Sequence, residues 1–152
     1  MKESDTKTKV AEVARKLYKR GLVTTYAGNA SMRVDNSIYI APSYYHITES
    51  SLTCFGDVEP KDMLVVDLTG KKLEGEGRPT FETETQTATY NDDHETGGIV
   101  HTHQPYTLGW GMAIGDFVCW TCAPRSHIGK ALLVEQRALD APAIEDRQND
   151  SF

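Results

Sequence analysis

Apolar residues recur at two different spacings along this chain, and each change of spacing marks a new element. Val10, Val13, Ala14, Leu17 and Tyr18 repeat at helical spacing with lysines and arginines between them, which places the apolar side chains on one face of a helix. Gly21 follows in the stopping position, where a left-handed turn is needed. Ala30-Ser31-Met32-Arg33-Val34 and Ile38-Tyr39-Ile40, separated by Asp35-Asn36-Ser37, read as two strands of a hairpin. The polar stretch from Tyr45 to Lys61, with Gly56 and Pro60 inside it, reads as a surface excursion. Met63-Leu64-Val65-Val66-Asp67-Leu68 then returns as a buried strand and turns at Thr69-Gly70-Lys71. Phe81 to Tyr90, after Pro79 and Thr80, is expected to be a helix despite its threonines. Gly97-Gly98-Ile99-Val100-His101-Thr102-His103 is expected to be a strand, as is Phe117-Val118-Cys119-Trp120. Ser126 is expected to cap a last helix through Ile128, Ala131, Leu132 and Glu135. This order predicts a layered α/β sandwich with a largely antiparallel sheet.

With 152 residues, 39% hydrophobic and 25% charged, the chain has the size of one globular domain, residues 1–152. Its net charge of -6 leaves no basic stripe for phosphate backbones, which excludes nucleic acid as a partner. The polar N-terminus lacks the apolar stretch of a signal peptide, and no run approaches the ~18 residues of a membrane span, so a cytoplasmic protein without membrane contact is expected. Three cysteines, an odd number, argue against a disulfide framework. Cys119-Trp120-Thr121-Cys122 has the spacing of redox pairs and zinc knuckles. A knuckle needs two more ligands at similar spacing, however, and a redox pair belongs at a strand-to-helix turn rather than inside an apolar strand. No Gly-X-Gly-X-X-Gly or phosphate loop is present, which counts against a nucleotide-binding fold.

The candidate chemistry begins at His101 and His103. Side chains alternate across a strand, so both imidazoles point the same way and are placed to close on one metal ion. Three other segments add to them: Gly28-Asn29 before the first strand, Pro42-Ser43 after the second, and Pro79-Thr80-Phe81-Glu82 at a helix start. Backbone N–H groups at turns and helix N-termini, joined by Asn, Ser and Thr side chains, hold anions. Glu82 supplies a carboxylate. His46, His94 and His127 sit in polar surroundings and read as surface residues, and Tyr90 reads as core.

In order and spacing, five blocks resemble the class II aldolase/adducin family. They are Gly28-Asn29-Ala30-Ser31, Ile40-Ala41-Pro42-Ser43, Pro60 to Asp67, Glu74 to Glu82, and Gly98 to His103. The enzymatic members of that family include L-fuculose-phosphate aldolase and L-ribulose-5-phosphate 4-epimerase. The resemblance implies a three-layer α/β/α sandwich with a mainly antiparallel central sheet, assembled as a homotetramer. It implies a divalent metal, Zn2+ or Mn2+, held by His101, His103 and a third ligand. It implies that Gly28, Asn29, Ser43 and Thr80 hold the phosphate of a sugar-phosphate substrate, with Glu82 as the catalytic acid/base. The reaction would be retro-aldol, ending in cleavage for an aldolase or in reclosure with inverted configuration for a 4-epimerase.

The chain departs from the family pattern at named positions. The third metal histidine falls where this chain reads Arg147-Gln148-Asn149-Asp150-Ser151-Phe152, so Asn149 or Asp150 stands in its place. The Thr-His-Ala-Asp block of the epimerases is missing between Tyr106 and Gly115. Phe81 stands for a phosphate-binding serine, Tyr44 for a glycine, and Gln86 for a histidine. Two classes of function follow: a metal-dependent aldolase or epimerase, and a non-catalytic adducin-like module that keeps the fold. A cupin-type barrel also uses His-X-His but needs a downstream glutamate, and residues 104–112 contain none.

Overall fold

The computed structural model describes residues 3–25, 27–43, 54–106 and 109. The chain divides into two compact units, Met1–Pro105 and Tyr106–Phe152, and every element below belongs to the first. The expected strand at 117–120, the C-X-X-C pair and the helix after Ser126 lie outside the described residues.

Helix α1 (Glu3–Lys19) begins earlier than its apolar spacing predicts, with Glu3 and Asp5 in its first turn and Lys16 and Lys19 in its last, charges that complement the helix dipole at both ends. Thr6, Val10, Ala11 and Ala14 are its buried side. It stops where the sequence says: Gly21 takes φ 65, its N–H donates to the Tyr18 carbonyl and that of Leu22 to the Leu17 carbonyl, the paired bonds of a Schellman cap.

Strands β1 (Asn29–Val34) and β2 (Ser37–Ile40) form the expected hairpin, with Val34 opposite Ser37. The turn is therefore two residues long, and Asp35 takes the positive φ, 54, that short hairpin loops demand. Strands β3 (Leu64–Asp67) and β4 (Lys72–Glu74) extend the sheet, followed by helix α2 (Thr83–Asp92) and strand β5 (Gly98–His101). The strand order is β4-β3-β2-β1-β5, with every pair antiparallel.

The alternation of side chains splits the core in two. Ala30, Tyr39, Ala41, Met63 and Val65 pack with Val10, Ala11 and Ala14 of α1, joined by Phe55 and Val58 from the excursion. Ile38, Ile40, Leu64 and Val66 point the other way and pack with Tyr90 of α2. One helix on each face makes the α/β/α layering. Because both faces of β2 and β3 are covered, those strands read as continuous apolar runs.

Candidate functional site

The site forms at the end of β1 and β5 that lies beneath the start of α2. In the β1–β5 ladder Asn29 pairs with His101 and Ser31 with Ile99. Ser31, Asn29 and His101 therefore share one face of the sheet, the face that α2 covers. On α2, Glu82, Gln86 and Tyr90 are spaced by four and share one side of the helix. Four helical residues advance roughly 6 Å and two strand residues roughly 6.7 Å, so Tyr90 and Gln86 stay in step with Ser31 and Asn29 along β1, and Glu82 one turn earlier meets His101, the partner of Asn29 on β5. The Tyr90 and Ser31 hydroxyls lie 2.8 Å apart. Gln86 Nε2 donates to Asn29 Oδ1. Glu82 Oε2 meets His101 Nδ1 at 2.7 Å.

Glu82 is the N-cap of α2, yet its side chain makes no capping bond and is turned to His101 instead. The helix start is held by Thr80, whose carbonyl accepts the Thr83 N–H at 3.1 Å and the Thr83 hydroxyl at 2.6 Å. Thr80 is itself brought to the sheet where the chain runs back along the exit of β2. Pro42 bridges Pro79, and the Ser43 N–H donates to the Arg78 carbonyl at 3.0 Å.

His103 lies two residues beyond His101, past the end of β5. Its N–H donates to the Leu22 carbonyl at 3.0 Å, so the cap of α1 fixes it rather than the sheet ladder. The alternation survives the end of the strand: the two imidazoles stack with centroids 4.7 Å apart. Gly28 makes the close approach possible. It sits at φ 104, and a Cβ there would meet Val23 Cβ at 2.8 Å and the His101 carbonyl oxygen at 3.0 Å.

A cavity of about 180 Å³ opens between these segments, walled by Gly28, Asn29, Thr80, Glu82 and His103 together with Ala27, Pro42, Phe55 and Phe81. Asn29, Thr80 and His103 are the lining side chains with N–H or O–H groups to donate, and Glu82 is the carboxylate. His101 adjoins through its contact with Glu82. Ser43 is buried next to Pro42 and does not line the cavity among the described residues. Two members of the site are not singled out by the sequence: Phe55 reads as surface excursion, and Gln86 only as a replacement. The signal for Gln86 is the Glu82, Gln86, Tyr90 spacing, whose polar side faces the sheet.

The donors can be tested against a divalent ion at His101. Its Nδ1 is shielded from solvent and makes no well-aligned hydrogen bond among the described residues, while a carboxylate oxygen faces it at 2.7 Å and a second imidazole is stacked alongside. A shielded nitrogen and a carboxylate oxygen so close need a hydrogen on the nitrogen or a metal ion between them. Nitrogen with carboxylate oxygen is the donor set that zinc and manganese accept, so the residues fit in kind. Among the described residues no three His, Cys, Asp or Glu side chains converge on one point, and a full shell needs a further donor. Asn149 and Asp150 lie outside those residues.

An antiparallel α/β/α sandwich with a His-X-His pair and a carboxylate at the end of its sheet defines a class of proteins, and the comparisons give the family. The Class II Aldolase and Adducin N-terminal domain matches residues 8–149. An L-fuculose 1-phosphate aldolase is 25% identical with a TM-score of 0.62, over 73% of this chain and 50% of its own. YgbL from Klebsiella pneumoniae, for which aldolase, epimerase or decarboxylase activity is proposed, is 25% identical with a TM-score of 0.62 over 72% and 49%. The L-fuculose-1-phosphate aldolase of Thermus thermophilus is 17% identical with a TM-score of 0.64 over 82% and 60%, a likeness of fold. This chain belongs to the class II aldolase and adducin family. It spans about half the length of the first two structures. Among the described residues no helix is long and apolar enough to cross a membrane.

Proposed function

We propose that this protein carries out metal-dependent retro-aldol chemistry on a ketose phosphate, as an aldolase or a 4-epimerase. The observation that carries this reading is the convergence of Gly28, Asn29, Thr80, Glu82 and His103, 75 positions apart at the extremes, around one cavity with His101 against Glu82. His101 and His103 would hold a divalent metal, zinc or manganese, with a third donor. Bound there, the ion supplies Lewis-acid stabilisation of the negative charge that develops when the carbon–carbon bond breaks. Asn29 and Thr80 donate to the substrate phosphate, Gly28 holds the loop against β5, and Ser43 supports Pro42 behind the cavity. From the cavity wall Glu82 would move the proton of the retro-aldol step, at the enediolate carbon in an aldolase or at the substrate hydroxyl in an epimerase. The resemblance to the family further supports a homotetramer working in the cytoplasm.

The Asn149-Asp150 sequence where the family has its third histidine, and the 69% exposure of Phe81 where the family places a serine, favour a second reading: an adducin-like module that binds partners without turnover. Elemental analysis of protein purified without added metal, followed by a panel of pentulose and hexulose phosphates, separates the two. Near-stoichiometric zinc or manganese with cleavage or epimerisation of one substrate establishes the enzyme. A folded, metal-free and inactive protein establishes the module. In an active aldolase Glu82→Gln retains the metal and loses proton exchange at the substrate carbon, and in an active epimerase it retains the metal and loses turnover; an unchanged readout would remove Glu82 from the chemistry.

A further inference from the structure

The second rung between α2 and β1 is a buried pair of amides, and its direction has a chemical consequence. Asn29 is 1% and Gln86 3% exposed. Gln86 Nε2 donates to Asn29 Oδ1, which turns the Asn29 Nδ2 group toward Thr80 Oγ1 at 3.4 Å. The Glu82 backbone N–H also approaches Thr80 Oγ1 at 3.4 Å. A hydroxyl oxygen has two acceptor sites and one hydrogen. With donors facing both acceptor sites, the Thr80 hydrogen is left for the cavity that Thr80 and Asn29 line. The relay therefore runs one way, Gln86 to Asn29 to Thr80, and ends on a donor. Its other end, Gln86 Oε1, is buried and has no partner among the described residues. The fold thus keeps the costly orphan acceptor away from the cavity and the donors in it.

We infer that Gln86 is a positioning residue that sets the polarity of this relay, so that the Asn29–Thr80 wall presents hydrogens and selects an acceptor-only anion such as a phosphate group. Gln86 touches no ligand; it acts through Asn29. This rests on the reading that the cavity holds the substrate phosphate. Reversing the Asn29 amide would bring Oδ1 to Thr80, draw the hydroxyl hydrogen onto it and leave lone pairs facing the cavity, which repel an anion.

The test is inorganic phosphate binding to the 152-residue chain by isothermal titration calorimetry, with Gln86→Met, Thr80→Val, the double variant and Gln86→His. Hydrogen bonds to a charged group are worth enough for Gln86→Met and Thr80→Val each to weaken binding about tenfold. Because the two act in one relay, the double variant is expected within about twofold of Thr80→Val alone. Gln86→His restores an N–H toward Asn29 and is expected to bind within about threefold of the original chain. Wild-type affinity in Gln86→Met, or additive losses in the double variant, overturns the inference and leaves the anion site standing. Failure of the unaltered chain to bind phosphate overturns the site and the inference together. Should Gln86→Met not fold, the unaltered chain still decides the matter by NMR. Nuclear Overhauser contacts from the Asn29 side-chain NH2 to Thr80 support the relay, and contacts only to Gln86 overturn it.

Discussion

At Gly28 a side chain would meet strain and collision together, because φ is 104 and a Cβ there would press on Val23 and on the His101 carbonyl. Gly28→Ala is expected to cost about 2–3 kcal/mol in urea unfolding and to displace the His101 backbone; an unchanged midpoint would mean that the loop stands off the strand. Two carboxylates fix turns, Asp67 the one between β3 and β4 and Asp93 the one that follows α2. Asp67 lies below the ordinary aspartate range, held first by the Thr69 hydroxyl at 2.6 Å and then by the Thr69 and Lys71 N–H groups. Asp93 is lowered by the Thr96 hydroxyl and the Glu95 N–H. Both folded pKa values are depressed, so their contribution to stability is complete above about 3.9, the ordinary aspartate value, and is lost as pH falls through the folded values. Carboxyl NMR should find both midpoints below that of an unstructured aspartate, and Thr69→Val should raise Asp67 alone. An ordinary midpoint for Asp67 would mean that the turn does not form. Gly28, Asn29, Thr80, Glu82 and His103 were legible because turns, caps and strand alternation act over a few residues. The Leu22 carbonyl that anchors His103 was not, since a backbone acceptor leaves no mark in the sequence.

The elements that were easy to read are those whose side chains are sorted by hydrophobicity. Helix α1, the hairpin and β3 carry their pattern openly, and Gly21 marks a real cap. Strand β4 was missed because all three of its residues are exposed: it is an edge strand protected by the charges of Lys72 and Glu74, with a register shift opposite Val65 and Val66. Helix α2 has a weak apolar pattern because its sheet-facing side binds through polar groups. Tyr90 is its anchor: its ring closes the core of Ile38, Ile40, Leu64 and Val66, its hydroxyl meets Ser31, and its carbonyl accepts Arg33 Nη1 at 2.8 Å. Tyr90→Phe keeps the ring and leaves the buried Ser31 hydroxyl unpaired, an expected loss of about 1–2 kcal/mol in urea unfolding. Tyr90→Ala also opens a cavity and should cost about 3–5 kcal/mol. Equal losses for the two would mean that the ring contributes nothing to holding α2 on the sheet.

At the scale of the whole molecule, folding and function meet in the loop that carries His103. That loop is tied to the cap of α1 through Leu22, while His101 belongs to β5 and Glu82 to the start of α2. A metal held by the two imidazoles would bind the folded chain in preference to the unfolded one, so it must raise stability by mass action, about 2.7 kcal/mol at a hundredfold excess over its dissociation constant. Adding zinc to chelator-treated protein should therefore raise Tm, and a chelator should reverse the rise. The rise should shrink as pH falls, because protons compete with the metal for imidazole nitrogen. His101→Ala and His103→Ala should each abolish it, whereas His94→Ala, outside the site, should leave it intact. A Tm that ignores zinc at every pH would make the stacked imidazoles a structural pair and favour the adducin-like module. A rise that survives both substitutions would place the metal elsewhere in the chain and detach His101 and His103 from the chemistry proposed for them.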